Sequence, residues 1–386
     1  MDAALPNIFP GLALHLGNVG PASVVIGDLN EDGNPDLVTA NSLADTISVF
    51  LGEGDGRFTS AQYAVGDLPI DVEMADFDGD GHMDLVVSNA GDNSLSLLFG
   101  TSEGTFGEEV RWSLASSPRN LAVGDFDGDG HPDIAAILVG DDGTSVSVFT
   151  SQGDGSFDLL FESPAGISPD ALTAADVNGD GRLDLMVGNF GSIDVYLSKE
   201  DGTFESVSTA TPIRTDSLAV ADFDGDGLVD VAVCERGSPY LIVGLGRGDG
   251  GFDLLPTETF DGPVQCVLTG DFNEDMTMDL VLVVGDGTIL SLTGRGDGSF
   301  ETHIPSGPSA AWGSAAGSVG DIDRDGHLDV ITVSDRDISV VFGNGTGAFP
   351  SRQSYPAGHT PSRVRQADLD NDGWPDLLVA NWLGGV

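Results

Sequence analysis

The sequence predicts an all-β fold, a β-propeller of four-stranded antiparallel blades, on three observations. A nine-residue acidic pattern, Asp-x-(Asp/Asn)-x-Asp-(usually Gly)-x-x-Asp, occurs eight times, starting at Asp28, Asp76, Asp125, Asp176, Asp222, Asp271, Asp321 and Asp368. Its copies lie 46 to 51 residues apart, and a period near 50 between strand patterns marks stacked, propeller-type repeats. Short β runs and glycine turns fill the space between copies, four runs to a full repeat, which is the content of one blade.

The elements follow in order. Ile8 to His15 reads as an outer strand without inner partners. The second repeat shows the full unit. Ile70 to Ala75 is a β run leading into the acidic loop, and Leu85 to Asn89 leaves it as a largely apolar run, expected of a strand buried on both faces. Gly91-Asp92-Asn93 turns the chain into a third strand, Leu95 to Phe99. A glycine-containing hairpin turn ends at Phe106, and a more polar fourth run, Glu108 to Leu114, leads onward. That turn recurs seven times and closes on Phe58, Phe106, Phe157, Phe204, Phe252, Phe300 and Phe349. Its glycines supply positive φ, and the phenylalanine is expected to plug the gap between blades.

The residue before each loop is always Gly or Ala, as crowded strands near a central axis require; one position earlier, Gln366 departs from the otherwise mostly apolar set. The last repeat holds an inner strand (Ser362 to Asp368) and a second strand (Asp376 to Asn381), then the chain stops. Pairing these with the N-terminal strand gives an eighth blade and protects both edges. Eight blades are therefore preferred; seven with overhangs is the alternative. Residues 1–386 form one domain in this reading, and an end placed where a third strand is due points to a longer parent chain.

The net charge is −49, from 63 acids and 14 bases. The loops hold 31 of the acids, so eight bound divalent ions would bring the charge to −33. The remainder excludes nucleic acid, which needs basic patches, and disfavours anionic membranes. Lys199 is the only lysine, so adaptation to high salt is a second source of acidity. Cys234 and Cys266 make no disulfide framework and read as small buried thiols. No run of 18 apolar residues is present to span a membrane. The start, Met-Asp-Ala-Ala-Leu-Pro, does not read as a signal peptide.

Calcium takes six to eight oxygens in irregular geometry. Carboxylates at loop positions 1, 3 and 5 converge if Gly at position 6 permits a tight turn; position 7 offers a carbonyl and Asp at position 9 closes the cage. The candidate ligands are Asp28, Asn30, Asp32, Asn34 and Asp36; Asp76, Asp78, Asp80, His82 and Asp84; Asp125, Asp127, Asp129, His131 and Asp133; and Asp176, Asn178, Asp180, Arg182 and Asp184. The later loops supply Asp222, Asp224, Asp226, Leu228 and Asp230; Asp271, Asn273, Asp275 and Asp279; Asp321, Asp323, Asp325, His327 and Asp329; and Asp368, Asp370, Asp372, Trp374 and Asp376. At position 7 the carbonyl is the ligand, so the imidazoles of His82, His131 and His327 are expected to face solvent. No helix flanks the loops and no Glu stands at position 12, which rejects an EF-hand. Met276 replaces the turn glycine in the sixth loop, at roughly 1 kcal/mol if φ is positive, so that site is expected to be weakest.

These residues resemble the FG-GAP/VCBS repeat family, the calcium-binding repeats of propellers like those of integrin α-subunits and of many bacterial secreted proteins. The resemblance spans about residues 8–381. It implies Ca²⁺ on one face of the propeller and a protein or carbohydrate ligand on the other. Phe190, Trp312 and Trp382 fall in loops of that opposite face and are the candidate ligand contacts; the other reading packs each into a blade gap. Inner-strand residues Asp71, Glu73, Arg363 and Arg365 could make a mixed-charge channel mouth. No catalytic constellation is visible. The function expected is an extracellular, cell-surface or periplasmic binding or adhesion module; the alternative is the propeller of a secreted enzyme acting on polysaccharide.

Overall fold

The computed structural model describes residues 19–141, 143–169, 171–285, 288–302, 317–333, 337–356 and 359–383. The expected strand at Ile8 to His15 and Trp312 lie outside the described residues, as does the side chain of Trp382.

Eight strand–loop–strand units carry the eight acidic loops. The inner strands are Pro21–Gly27, Pro69–Ala75, Ser117–Gly124, Ala171–Ala175, Ser217–Ala221, the end of Glu258–Gly270, Gly317–Gly320 and His359–Ala367. Each pairs antiparallel with the strand leaving its loop, and the register is the same throughout. The residue before the loop always faces the closing acid, from Gly27 opposite Asp36 to Ala367 opposite Asp376.

Four units form separate four-stranded antiparallel sheets in simple up-and-down order: the first, second, third and seventh. In the fourth, the turn at Phe190-Gly191 is so tight that the second and third strands run on as Asp184–Ser198. The fifth and sixth share Glu258–Gly270, whose start pairs with the third strand of one blade (Ser238–Gly246) and whose end is the inner strand of the next. The architecture is an all-β propeller of four-stranded antiparallel blades.

Burial peaks at the second strand of each blade and falls from there to the outer edge. Asp36–Asn41 and Asp84–Asn89 are buried at every position, as their apolar runs predict, whereas Phe58–Ala64 is mostly exposed. Inner strands leave no room for side chains at the Gly/Ala position: a Cβ on Gly27 would sit 2.4 Å from Met74 Sδ of the next unit. Gln366 has a specific partner there, donating from Nε2 to the Val319 carbonyl at 2.9 Å, over Gly320.

The turn phenylalanines do lock neighbouring blades together. Phe157, Phe300 and Phe349 pack edge-on against Phe77, Phe223 and Phe272, with centroids 5.5 Å apart in each pair. The partner is always position 2 of the preceding unit's loop, a position whose apolar character carries no metal chemistry. Phe58 of the first unit joins Leu369, position 2 of the eighth loop, in a core cluster with Val24, Leu37, Phe50, Leu378 and Ala380. The two ends of the described chain therefore pack together by the rule that the other six turn phenylalanines follow.

Candidate functional site

Each acidic loop is folded by its own backbone. Position 6 is left-handed in all eight, from φ +69° at Met276 to +93° at Gly326. That conformation turns its N–H onto the position 1 carboxylate, at 2.8–3.1 Å in every loop. The position 7 N–H donates to the position 5 carboxylate at 2.7–3.0 Å. Met276 thus adopts the strained conformation expected of it, with its side chain in solvent at 94% exposure.

The closing acid does more than close a cage. One oxygen of each position 9 carboxylate accepts the N–H of position 2 at 2.7–3.0 Å. In the first seven units its other oxygen accepts the N–H at the end of the third strand, at 2.7–2.9 Å. These acids bracket loop to sheet. Burial raises their pKa above the usual carboxylate range, to about 6 for Asp84 and Asp329 and about 7 for Asp133, against the pull of those N–H donors.

Three carboxylate oxygens come within 4.8 Å of one another in five loops: Asp76, Asp78 and Asp84; Asp125, Asp127 and Asp133; Asp222, Asp224 and Asp230; Asp321, Asp323 and Asp325; Asp368, Asp370 and Asp376. Converging hard oxygens suit a divalent cation. The other three loops carry Asn at position 3. There Asn30, Asn178 and Asn273 donate from Nδ2 to Asp32, Asp180 and Asp275, at 3.1, 3.1 and 2.9 Å. In the fourth loop the Arg182 guanidinium also pairs with Asp180, placing a built-in cation beside the candidate ligands.

Position 7 side chains lie at the surface, and several of them take a partner there. His82 Nδ1 lies 2.9 Å from Glu31 Oε1, and His327 Nδ1 hydrogen-bonds Glu274. Arg324 stands over the Trp374 ring, 5.9 Å from its centroid. Each of these contacts joins position 4 of one loop to position 7 of the next. Position 4 is left-handed too, with Glu31 at +59° and Arg324 at +55°. A strand-period reading misses it because Glu and Arg give no local sign of positive φ.

On the opposite face Phe190 is 58% exposed at the tip of the fourth unit's turn, so it does not fill a blade gap. Its N–H donates to the Ile167 carbonyl at 2.8 Å. On the inner strands Asp71 is buried and accepts Ser23 Oγ at 2.7 Å and the Leu121 N–H at 3.1 Å, with Arg363 Nη2 at 3.3 Å. Cys234 and Cys266 are free and buried, and burial pushes both thiols up to about 12. Among the described residues no helix is long and apolar enough to cross a membrane.

The description "FG-GAP-like repeat" matches seven overlapping stretches, 28–87, 76–136, 135–187, 176–233, 222–282, 271–332 and 321–379. The chain belongs to the FG-GAP-like repeat family. Comparison with curated proteins gives no match. Among solved structures this FG-GAP-like propeller is similar to one described as recognition of non-reducing terminal N-acetylglucosamine by an Agrocybe aegerita lectin. Identity is 18%, the TM-score is 0.55, and the match covers 93% of this chain and 99% of that one. Two further matches are to structures of BBS1N in complex with ARL6DN, soaked with mercury and with lead. They have 11% and 12% identity and TM-scores of 0.52 and 0.51; the match covers 83% and 85% of this chain and 91% and 92% of theirs. At such identities the likeness shows the fold.

Proposed function

We propose that this FG-GAP-like propeller is a calcium-stabilised, non-catalytic binding module that works outside the cytosol and takes a carbohydrate on the side away from its acidic loops. The observation that carries the reading is the convergence of three carboxylate oxygens in five equivalent loops. Ca²⁺ would be held by positions 1, 3, 5 and 9 and the carbonyl of position 7, with Asn30, Asn178 and Asn273 making three weaker sites. Cytosolic calcium is too scarce to fill weak sites, which favours an extracellular, cell-surface or periplasmic place. The reading takes eight blades in one domain, and what supports it is that Phe58 meets Leu369 as each other turn phenylalanine meets the preceding loop.

Carbohydrate is favoured over a protein ligand by the lectin among the similar structures and by an exposed aromatic ring, Phe190, beside polar groups. The test is a glycan array probed with the fluorescently labelled protein in calcium and after calcium removal. Binding to a defined set of glycans that disappears on chelation is expected. A blank array with calcium-loaded, folded protein would turn the reading to a protein ligand.

A further inference from the structure

We infer that a groove between the third and fourth blades is a saccharide-binding subsite, formed by the Asp194 carboxylate and serine hydroxyls with Phe190 at its rim. A cavity of about 330 Å³ opens there between the end of the third blade's outer strand (Phe157–Pro164) and the outer half of the fourth blade. That size is at the low end of small-molecule sites, which begin at about 300 Å³, and suits a single sugar ring.

Comparison of the blades shows what distinguishes the lining of this cavity. In the first three blades a serine on the third strand faces a long polar side chain on the fourth: Ser48 opposite Gln62, Ser96 opposite Arg111, Ser147 opposite Glu162. Those side chains reach across. Gln62 Nε2 donates to Ser48 Oγ at 3.2 Å, and Arg111 lies over the strand to meet Asp92 and Glu109 at 3.0 and 2.9 Å. The fourth blade inverts the pair, with Asp194 on the third strand and Ser208 opposite it. The long side chain is gone and a carboxylate lines the space instead.

That carboxylate is held in place. Asp194 Oδ2 accepts the Asn189 amide at 2.8 Å and Oδ1 accepts Ser208 Oγ at 2.5 Å. Each oxygen keeps a second lone pair to accept a ligand hydroxyl. Ser163, Ser192 and Ser206 supply further hydroxyls that donate or accept, the complement of a polyol. The floor is fixed by Tyr196, buried, with its hydroxyl 3.3 Å from the Pro164 carbonyl. Phe190 and Ile167, joined by a backbone hydrogen bond, leave an exposed apolar pair at the same end of the blade. A carboxylate, several hydroxyls and an aromatic ring fit a neutral sugar, and the chain's charge of −49 disfavours an anionic one.

The subsite rests on the proposed carbohydrate function, and the test separates the two. Calcium-loaded protein is titrated calorimetrically with N-acetylglucosamine, glucose and galactose. Ser208→Arg puts back a long side chain like those of the sister blades and supplies a partner for Asp194, so it fills the groove. Phe190→Ala changes only an exposed turn tip and keeps the test sound if the first variant folds poorly. At least a tenfold loss of affinity in Ser208→Arg and a severalfold loss in Phe190→Ala are expected. Saccharide binding unchanged in both variants would overturn the groove while leaving carbohydrate binding intact. If none of the three sugars binds the parent protein, the groove is overturned; the array then decides the wider reading independently.

Discussion

Asn371 donates its side-chain amide to Asn34, a residue 337 positions earlier in the chain. Asn371 is position 4 of the eighth loop and Asn34 is position 7 of the first. The same relation joins Glu31 to His82, Glu274 to His327 and Arg324 to Trp374. Every non-glycine residue at position 4 is left-handed and meets position 7 of the following loop. A bulky residue in that conformation costs about 1–2 kcal/mol, and the contact with the neighbouring blade offsets it. Glycine fills the position where no such contact is made by a side chain. Because the eighth-to-first contact obeys the rule, one run of side-chain contacts links the sixth loop through the seventh, eighth and first to the second.

That closure predicts the behaviour of the last unit. Leu378 is buried against Leu37 and Phe50 of the first. Leu378→Ala should destabilise the protein by about 2–5 kcal/mol, as for a core leucine, read from the denaturant midpoint. A last unit that merely trailed from the seventh would leave the midpoint unmoved by the loss of contacts to the first.

The double role of the closing acid separates two kinds of loop mutation. Asp133→Ala orphans the buried N–H groups of Phe126 and Ser151, at about 1–3 kcal/mol for each. Its cost should appear with and without calcium. Asp129→Ala removes an exposed carboxylate and should lower stability only when calcium is present. Denaturation of both variants in Ca²⁺ and in chelator checks this, and an Asp133→Ala protein as stable as the parent in chelator would refute the bracket.

The fold was legible in the sequence because the acidic loop and its apolar second strand are written eight times, seven of the copies with a turn glycine at position 6 and seven with a turn phenylalanine. Position 6 could be read from Gly alone, and Met276 was visible as the exception. Position 4 could not: Glu31 and Arg324 resemble ordinary loop residues until the next loop is placed beside them. The same limit hid Asp194, whose meaning depends on which residue faces it across the strands. Local chemistry is encoded at one position, but a lock or a groove between blades is encoded at two, from 14 residues apart at Asp194 and Ser208 to 337 at Asn34 and Asn371. From its turn position Phe190 was legible as a candidate ligand contact, with packing into a blade gap as the other reading, and its exposure came from the structure.

Met276→Gly should stabilise the protein by about 0.5–1 kcal/mol. Relief of a left-handed side chain is worth about 1–2 kcal/mol, and the added freedom of glycine in the unfolded chain returns about 0.4–1 kcal/mol of it. Calorimetric thermal unfolding without metal measures the effect. A neutral or destabilising result would mean that the exposed Met276 side chain holds a contact the turn needs.

Acidity should act in opposite directions on the metal-free and calcium-loaded protein. Burial raises Asp133 to about 7 and Asp84 and Asp329 to about 6. Glu73, on the inner strand, is raised to about 7 by burial and by Asp71, against Arg363 and Arg365. A carboxyl whose folded pKa exceeds its unfolded value of about 4 binds its proton more tightly when folded. Its contribution is fully present below about pH 4 and is lost as pH rises through 6 to 7. Metal-free protein should therefore gain stability as pH falls from 7.5 to 5. Calcium needs the same loop acids ionised, so protons compete with it and binding weakens over that range. The melting temperatures of the two forms, far apart at pH 7.5, should converge towards pH 5, with the metal-free value rising. A metal-free melting temperature that falls steadily over that interval would show that the closing acids are ionised in the folded state without calcium, and that repulsion within the loops is relieved by some other route.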